Sequence, residues 1–180
     1  MKKNEKIWMN KKSYILLLAV IFVLAAYIIY PSTFIQTLAT ATIPDLSTSG
    51  FVEVNISVEV GDDHGVVSMG NNCYVVSAEV ERSQAISIQN GIDGKVGPRP
   101  NSHDLFNDLI KNLDIEILMV KITNVEDNSY HSKFIFRQGN TILNLDARPS
   151  DAIAISSRTD YIVHIYMNET LLKEVGTKIC

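Results

Sequence analysis

Two rhythms of apolar and polar residues run along this chain. From residue 51, FVEVNISVEV alternates strictly, with Val52, Val54, Ile56, Val58 and Val60 on one side and Phe51, Glu53, Asn55, Ser57 and Glu59 on the other. That period of two predicts one half-buried β-strand over 51–60. GDDHG at 61–65 and GNN at 70–72 are turn residues flanking VVSM, and CYVVSAEV follows, so three antiparallel strands in a meander are expected. RSQAISIQNGI (82–92) changes to helical spacing with Ala85, Ile86 and Ile88, and the glycines and prolines of GIDGKVGPRP end it.

The pattern then recurs. Asn101 or Ser102 offers an N-cap for HDLFNDLIKNL, with Asp104 and Asp108 near the positive end of the helix dipole. Leu105, Phe106, Leu109, Ile110 and Leu113 share one helical face, which predicts a core-facing stripe. DIEILMVKITNV, YHSKFIFR and TILNLDA, separated by the turns VEDNS and QGN, make a second meander. RSQAISI (82–88) and PSDAIAI (149–155) share S-x-A-I-x-I after a third strand in each half. The fold class expected is therefore α+β: two antiparallel β-meander plus helix units, an internal pseudo-repeat, in one compact domain. YIVHIYM and NETLLKEVG add a strand and a short helix capped by Asn168.

The first 50 residues differ in kind. Residues 14–30, YILLLAVIFVLAAYIIY, carry no charge and follow Lys2, Lys3, Lys6, Lys11 and Lys12. At 1.5 Å per residue such a helix reaches ~26 Å, near the lower limit for a hydrocarbon core of ~30 Å. The preceding lysines favour an N-inside orientation. The organisation expected is a basic cytoplasmic N-terminus (1–13), a transmembrane anchor (14–30), a Ser/Thr/Pro-rich linker (31–50) and a domain outside the cytoplasm (51–176). Ala39 and Ala41 in LATAT also fit the cleavage site of a secretory signal; both readings export the domain.

After the lysine-rich start, 11 basic residues face 19 acidic ones, a net charge of −8. Such a domain has no broad electrostatic footprint for a phosphate backbone, so nucleic-acid chemistry needs a local basic site or a bridging metal. Cys73 and Cys180 are the only cysteines. An intramolecular bond, two free thiols and an intermolecular bond through Cys180 all remain open. The N-x-[ST] patterns at Asn55 and Asn168 are compatible with export.

Two segments, RPNSHDLFNDLIKNL (99–113) and RQGNTILNLDARPSDAIAI (137–155), resemble the signature stretches of the bifunctional nuclease family. The order of elements agrees over roughly residues 51–175, and Asn101 stands where an aliphatic residue is more usual. The family name rests on nuclease activity described for some plant members, so the resemblance implies hydrolysis of DNA and RNA phosphodiesters as the expected activity. It carries over no catalytic residue.

The residue types supply candidates. Asp146, Arg148, Asp151, His103 and Asp104 are the candidate catalytic set. Arg99, Arg148 and Ser150 can grip a phosphate, and Asp146, Asp151 and Asp104 can hold Mg²⁺ or Mn²⁺ to activate water, with His103 moving a proton. Each also has an architectural reading: Ser150 and Ser102 as caps, Asp104 and Asp151 as first-turn acids, Pro149 as a helix opener, and Arg148 as a buried bridge to Asp104 or Asp146. The partners expected are a membrane through residues 14–30, nucleic acid, and further copies of the chain. The alternative function is a non-catalytic binding or assembly module, or a small-anion sensor. No H-x-x-x-H, C-x-x-C or Gly-rich phosphate loop occurs.

Overall fold

The computed structural model describes residues 17–20, 22 and 46–180, which fall in two compact units, Met1–Pro44 and Asp45–Cys180. Of the first unit, residues 17–20 and 22 are helical and exposed. The rest of the membrane span expected over 14–30, the cleavable-signal alternative, and the linker expected over 31–50 as far as residue 45 lie outside the described residues. Among the described residues no helix is long and apolar enough to cross a membrane.

The second unit is a mixed α+β domain with two sheets. Its elements run β1 (Phe51–Glu53), β2 (Asn55–Val60), β3 (His64–Gly70), β4 (Tyr74–Glu81), α1 (Arg82–Ile92), α2 (Ser102–Asn112), β5 (Ile115–Glu126), β6 (Ser129–Gln138), β7 (Thr141–Ala147), α3 (Pro149–Ser156), β8 (His164–Asn168), α4 (Glu169–Val175) and β9 (Thr177–Lys178). One sheet has the order β1-β8-β5-β6-β7 and the other β2-β3-β4-β9. All neighbours are antiparallel except β5 and β8.

The single strand expected over 51–60 is two strands in different sheets. β1 pairs with β8 and β2 with β3, and between them Val54 is buried and donates its N–H to the Ile165 carbonyl at 2.9 Å. The alternation is continuous in the letters because both sheets bury one face. The meanders β2-β3-β4 and β5-β6-β7 form as expected, each running directly into a helix. Asp127 and Asn128, at φ 47° and 60°, close the β5–β6 hairpin, as a turn with two left-handed central residues requires.

α1 packs on the four-stranded sheet, α2 and α3 on the five-stranded one, and α1 and α3 on each other. Small residues permit this approach: a Cβ on Gly65 of β3 would lie 2.1 Å from the Ala85 Cβ of α1. Ile88, Val120, Ile122 and Ala152 are fully buried in a shared core with Phe136 and Met167. Each large apolar side chain removed from water there contributes roughly 1.5–3 kcal/mol.

The five-residue stripe expected on α2 is divided. Ile110 is buried and Phe106 packs on Phe136 with ring centroids 6.2 Å apart, whereas Leu105, Leu109 and Leu113 are 67%, 52% and 48% exposed. Only the Phe106–Ile110 line faces the sheet, so helical periodicity alone overstated the buried face.

Cys73 and Cys180 are bonded to each other. β9 pairs antiparallel with β4, Tyr74 opposite Lys178 and Val75 opposite Thr177, and Ile179 donates its N–H to the Cys73 carbonyl at 2.8 Å. This short strand, absent from the expected elements, carries the last residue back to Cys73, with 4.7 Å between their Cα atoms.

Candidate functional site

Three helix starts meet around one open cavity. Glu81 precedes α1, Asn101 caps α2 and Arg148 precedes α3, and all three line a space of about 360 Å³ together with Gln84, Ser87, His103 and Asp151. The α2 start is held by a capping box. The Asn101 side-chain oxygen accepts from the His103 and Asp104 N–H groups at 2.8 and 3.0 Å, and Asp104 accepts from the Asn101 N–H at 2.8 Å. Three otherwise orphaned donors at the start of α2 are thereby satisfied.

His103 spans from buried to open ground. Its Nδ1 lies 2.8 Å from the Ser87 Oγ and its Nε2 3.3 Å from the Asp151 Oδ1. Ser87 is 6% exposed, and its oxygen also accepts from Arg158 Nη2 at 3.0 Å and from Asn101 Nδ2 at 3.2 Å. A hydroxyl has two lone pairs and one hydrogen. With both lone pairs occupied, the Ser87 hydrogen points to His103 Nδ1, and the network assigns the His103 proton to Nε2, facing Asp151.

Arg148 closes the open side. Its Nε and Nη2 donate to the two Asp151 carboxylate oxygens at 2.7 and 3.1 Å. Gln84, with its amide oxygen turned toward Arg148, accepts from both terminal nitrogens at 3.2 Å. Burial alone would raise the Asp151 pKa. The hydrogen bond and charge of Arg148, and then the contact with His103, outweigh it and hold the carboxyl below its usual range. The Asp151 hydrogen bond and charge in turn raise Arg148. The cavity thus presents one guanidinium and two carboxylates, Glu81 and Asp151.

Of the residues expected from the sequence, His103, Arg148 and Asp151 come together here. Asp104 does not join them as a ligand. It is 8% exposed, and Arg158 Nε donates to it at 2.5 Å while the same guanidinium reaches the Ser87 and Ala154 carbonyls. The bridge expected between Arg148 and Asp104 or Asp146 is therefore made by Arg158 to Asp104, and Arg148 turns to Asp151. Asp146 sits on β7 opposite Lys133, exposed and 3.8 Å from its ammonium. Arg99 is exposed in the connection between α1 and α2 and does not line the cavity. Ser150 lines a neighbouring cavity.

Among the described residues no three His, Cys, Asp or Glu side chains form a group that could hold a metal ion. The set Asp146, Asp151 and Asp104 expected for Mg²⁺ or Mn²⁺ is not assembled, because the capping box and Arg158 turn Asp104 inward and strand pairing sends Asp146 outward. Ser87 and Arg158 are the contributors that sequence reasoning missed. Ser87 reads as one polar residue inside an apolar helix, and Arg158 follows α3 with no motif around it.

Residues 68–179 match the family model for the bifunctional nuclease domain. The chain belongs to this family. Two proteins similar to this chain come from Mycobacterium tuberculosis: Uncharacterized protein MT1877 of strain CDC 1551 / Oshkosh and Uncharacterized protein Rv1829 of strain ATCC 25618 / H37Rv. Each is 33% identical over 100 residues, which cover 56% of this chain and 58% of the relative. The chain therefore spans somewhat over half the length of the curated relatives it matches, and their names state no activity.

Proposed function

We propose that this bifunctional nuclease domain hydrolyses phosphodiesters of DNA or RNA at the cavity where α1, α2 and α3 begin. The observation that carries this reading is His103 held between the buried Ser87 and the Asp151–Arg148 pair, at the floor of an open polar cavity. In this reading His103 moves the proton, Asp151 orients the imidazole and Arg148 faces the phosphate, each within reach of the same space. The uncharged 14–30 segment and the lysines before it support display of the domain on the outer face of a membrane. The shared S-x-A-I-x-I and the two meander-to-helix units support an internal pseudo-repeat.

The test is incubation of the full chain with single- and double-stranded DNA and RNA, with magnesium, manganese or a chelator. His103→Gln and Arg148→Ala proteins purified in parallel serve as controls. Cleavage that both substitutions leave intact comes from a contaminant and sinks the reading.

A second reading is a non-catalytic binding module or small-anion sensor. The binding-module form is favoured by the bidentate closure of Arg148 on Asp151 beside Glu81, which leaves no surplus positive charge in the cavity to hold a phosphate. Its expected result is ligand binding, or association with a second copy, without hydrolysis on any of the four substrates.

A further inference from the structure

Arg148 lines two cavities. One is the polar space that holds His103; the other, of about 210 Å³, lies between β3, β4, the β5–β6 turn and the start of α3. The second cavity differs in chemistry. Val67, Met69 and Ile153, all almost fully buried, form an apolar floor, while Asn128, Ser129 and Ser150 stand at the rim. An apolar floor with a few polar groups at its edge orients a small, flat, polar-edged molecule.

Tyr130 adds an independent sign. It is half-buried on the wall of this second cavity, and its hydroxyl has no hydrogen-bond partner among the described residues. Burial raises its pKa, with no opposing contact. The hydroxyl keeps some contact with solvent, so it is open to the polar edge of a bound molecule. The ring of Tyr130 also offers a stacking surface, which planar bases use without regard to sequence.

We propose that the β3/β4/α3 cavity is a nucleobase-binding subsite: one base sits over Val67, Met69 and Ile153 against Tyr130, with its sugar directed past Arg148 toward His103. The inference rests on reading the His103 cavity as the reaction site and names the unit bound beside it. The subsite is small enough to take a single base, so the substrate it selects is a strand with an unpaired base beside the bond to be cut. A base held in a duplex has to leave its stack to enter.

The experiment is titration of the full chain in detergent micelles with uridine and adenosine, and with ribose 5-phosphate, followed by NMR or calorimetry. These probes contain no phosphodiester, so binding is read without turnover. The nucleosides are expected to bind at least tenfold more tightly than ribose 5-phosphate and to perturb Tyr130 and Met69. Ala78→Phe fills the cavity from β4, and Ser129→Trp blocks its rim; each is expected to weaken nucleoside binding at least tenfold. The Ser129 change lies on an exposed position and keeps the test decisive if the Ala78 change prevents folding. Nucleosides that bind no better than ribose 5-phosphate, or nucleoside affinity that is unchanged in the folded variants, overturn the proposal. A chain that cleaves nucleic acid without binding nucleosides sinks this inference alone. One that binds nucleosides without cleaving sinks only the hydrolytic reading.

Discussion

Replacing Arg158 by alanine tests the buried network beneath His103. The guanidinium is 6% exposed at its side chain and the Asp104 carboxylate 8%, so both charges are largely withdrawn from water at the edge of a cavity they line together. Removing Arg158 strands the Asp104 carboxylate with only its capping N–H, and leaves the Ser87 and Ala154 carbonyls without the donors they now have. Breaking one side of a buried pair typically costs about 3–5 kcal/mol. For a domain of this size that corresponds to a fall in Tm of roughly 10–20 °C. The assay is chemical and thermal unfolding of the wild type, Arg158→Ala, and the double variant Asp104→Leu/Arg158→Met. The double variant is expected to recover most of the loss, because apolar replacement of both partners removes the stranded charge.

The pH dependence has a definite sign. Burial alone raises Asp104, but the Arg158 hydrogen bond, the Asn101 N–H and the Arg158 charge together hold it below its usual 3.8. A carboxyl depressed on folding stabilises fully above its unfolded pKa and loses that contribution as pH falls through the folded one. The gap between the wild type and Arg158→Ala should therefore be widest at neutral pH and narrow below about pH 3.8. A gap under about 1 kcal/mol at pH 7, the scale of an exposed pair, would refute the reasoning.

The remaining expectations concern other parts of the molecule. If the chain hydrolyses nucleic acid, His103→Gln should lower the rate by about 10²-fold or more, while Asp146→Ala, which alters only an exposed strand pair, should leave it within twofold; initial-rate measurements decide, and equal losses would return Asp146 to the site. Reducing the chain, or replacing Cys180 by serine, should lower stability by about 2–5 kcal/mol, since the bond closes a separation of 107 residues. Thermal melts with and without reductant measure this, and identical melts contradict it. Gly65→Ala should destabilise by about 1–3 kcal/mol through overpacking against Ala85, read by urea unfolding, and a neutral result would show that α1 can shift away from β3.

Local chemistry made much of this domain legible from its letters. Both meanders, the capping of α2 and α4, the proline-opened α3 and a turn at VEDNS follow from periodicity, side-chain caps and backbone preference, all of which act within a few residues. Each lies inside a short window, so no distant residue was needed to read it. The signatures at 99–113 and 137–155 likewise marked the α2 and α3 starts, which supply His103, Arg148 and Asp151.

Partner choice across the chain was settled by the tertiary structure alone. Nothing near Asp104 announces Arg158, 54 positions away, and nothing near His103 announces Ser87. The division of 51–60 between two sheets and the return of β9 to β4 depend on which edges lie near one another in space. Periodicity shows that a side chain turns inward but not what waits there. For a buried charge the partner determines its role: Asp104, with Arg158 and a capping N–H, is an architectural carboxylate, whereas Asp151, with Arg148 and His103, faces the cavity.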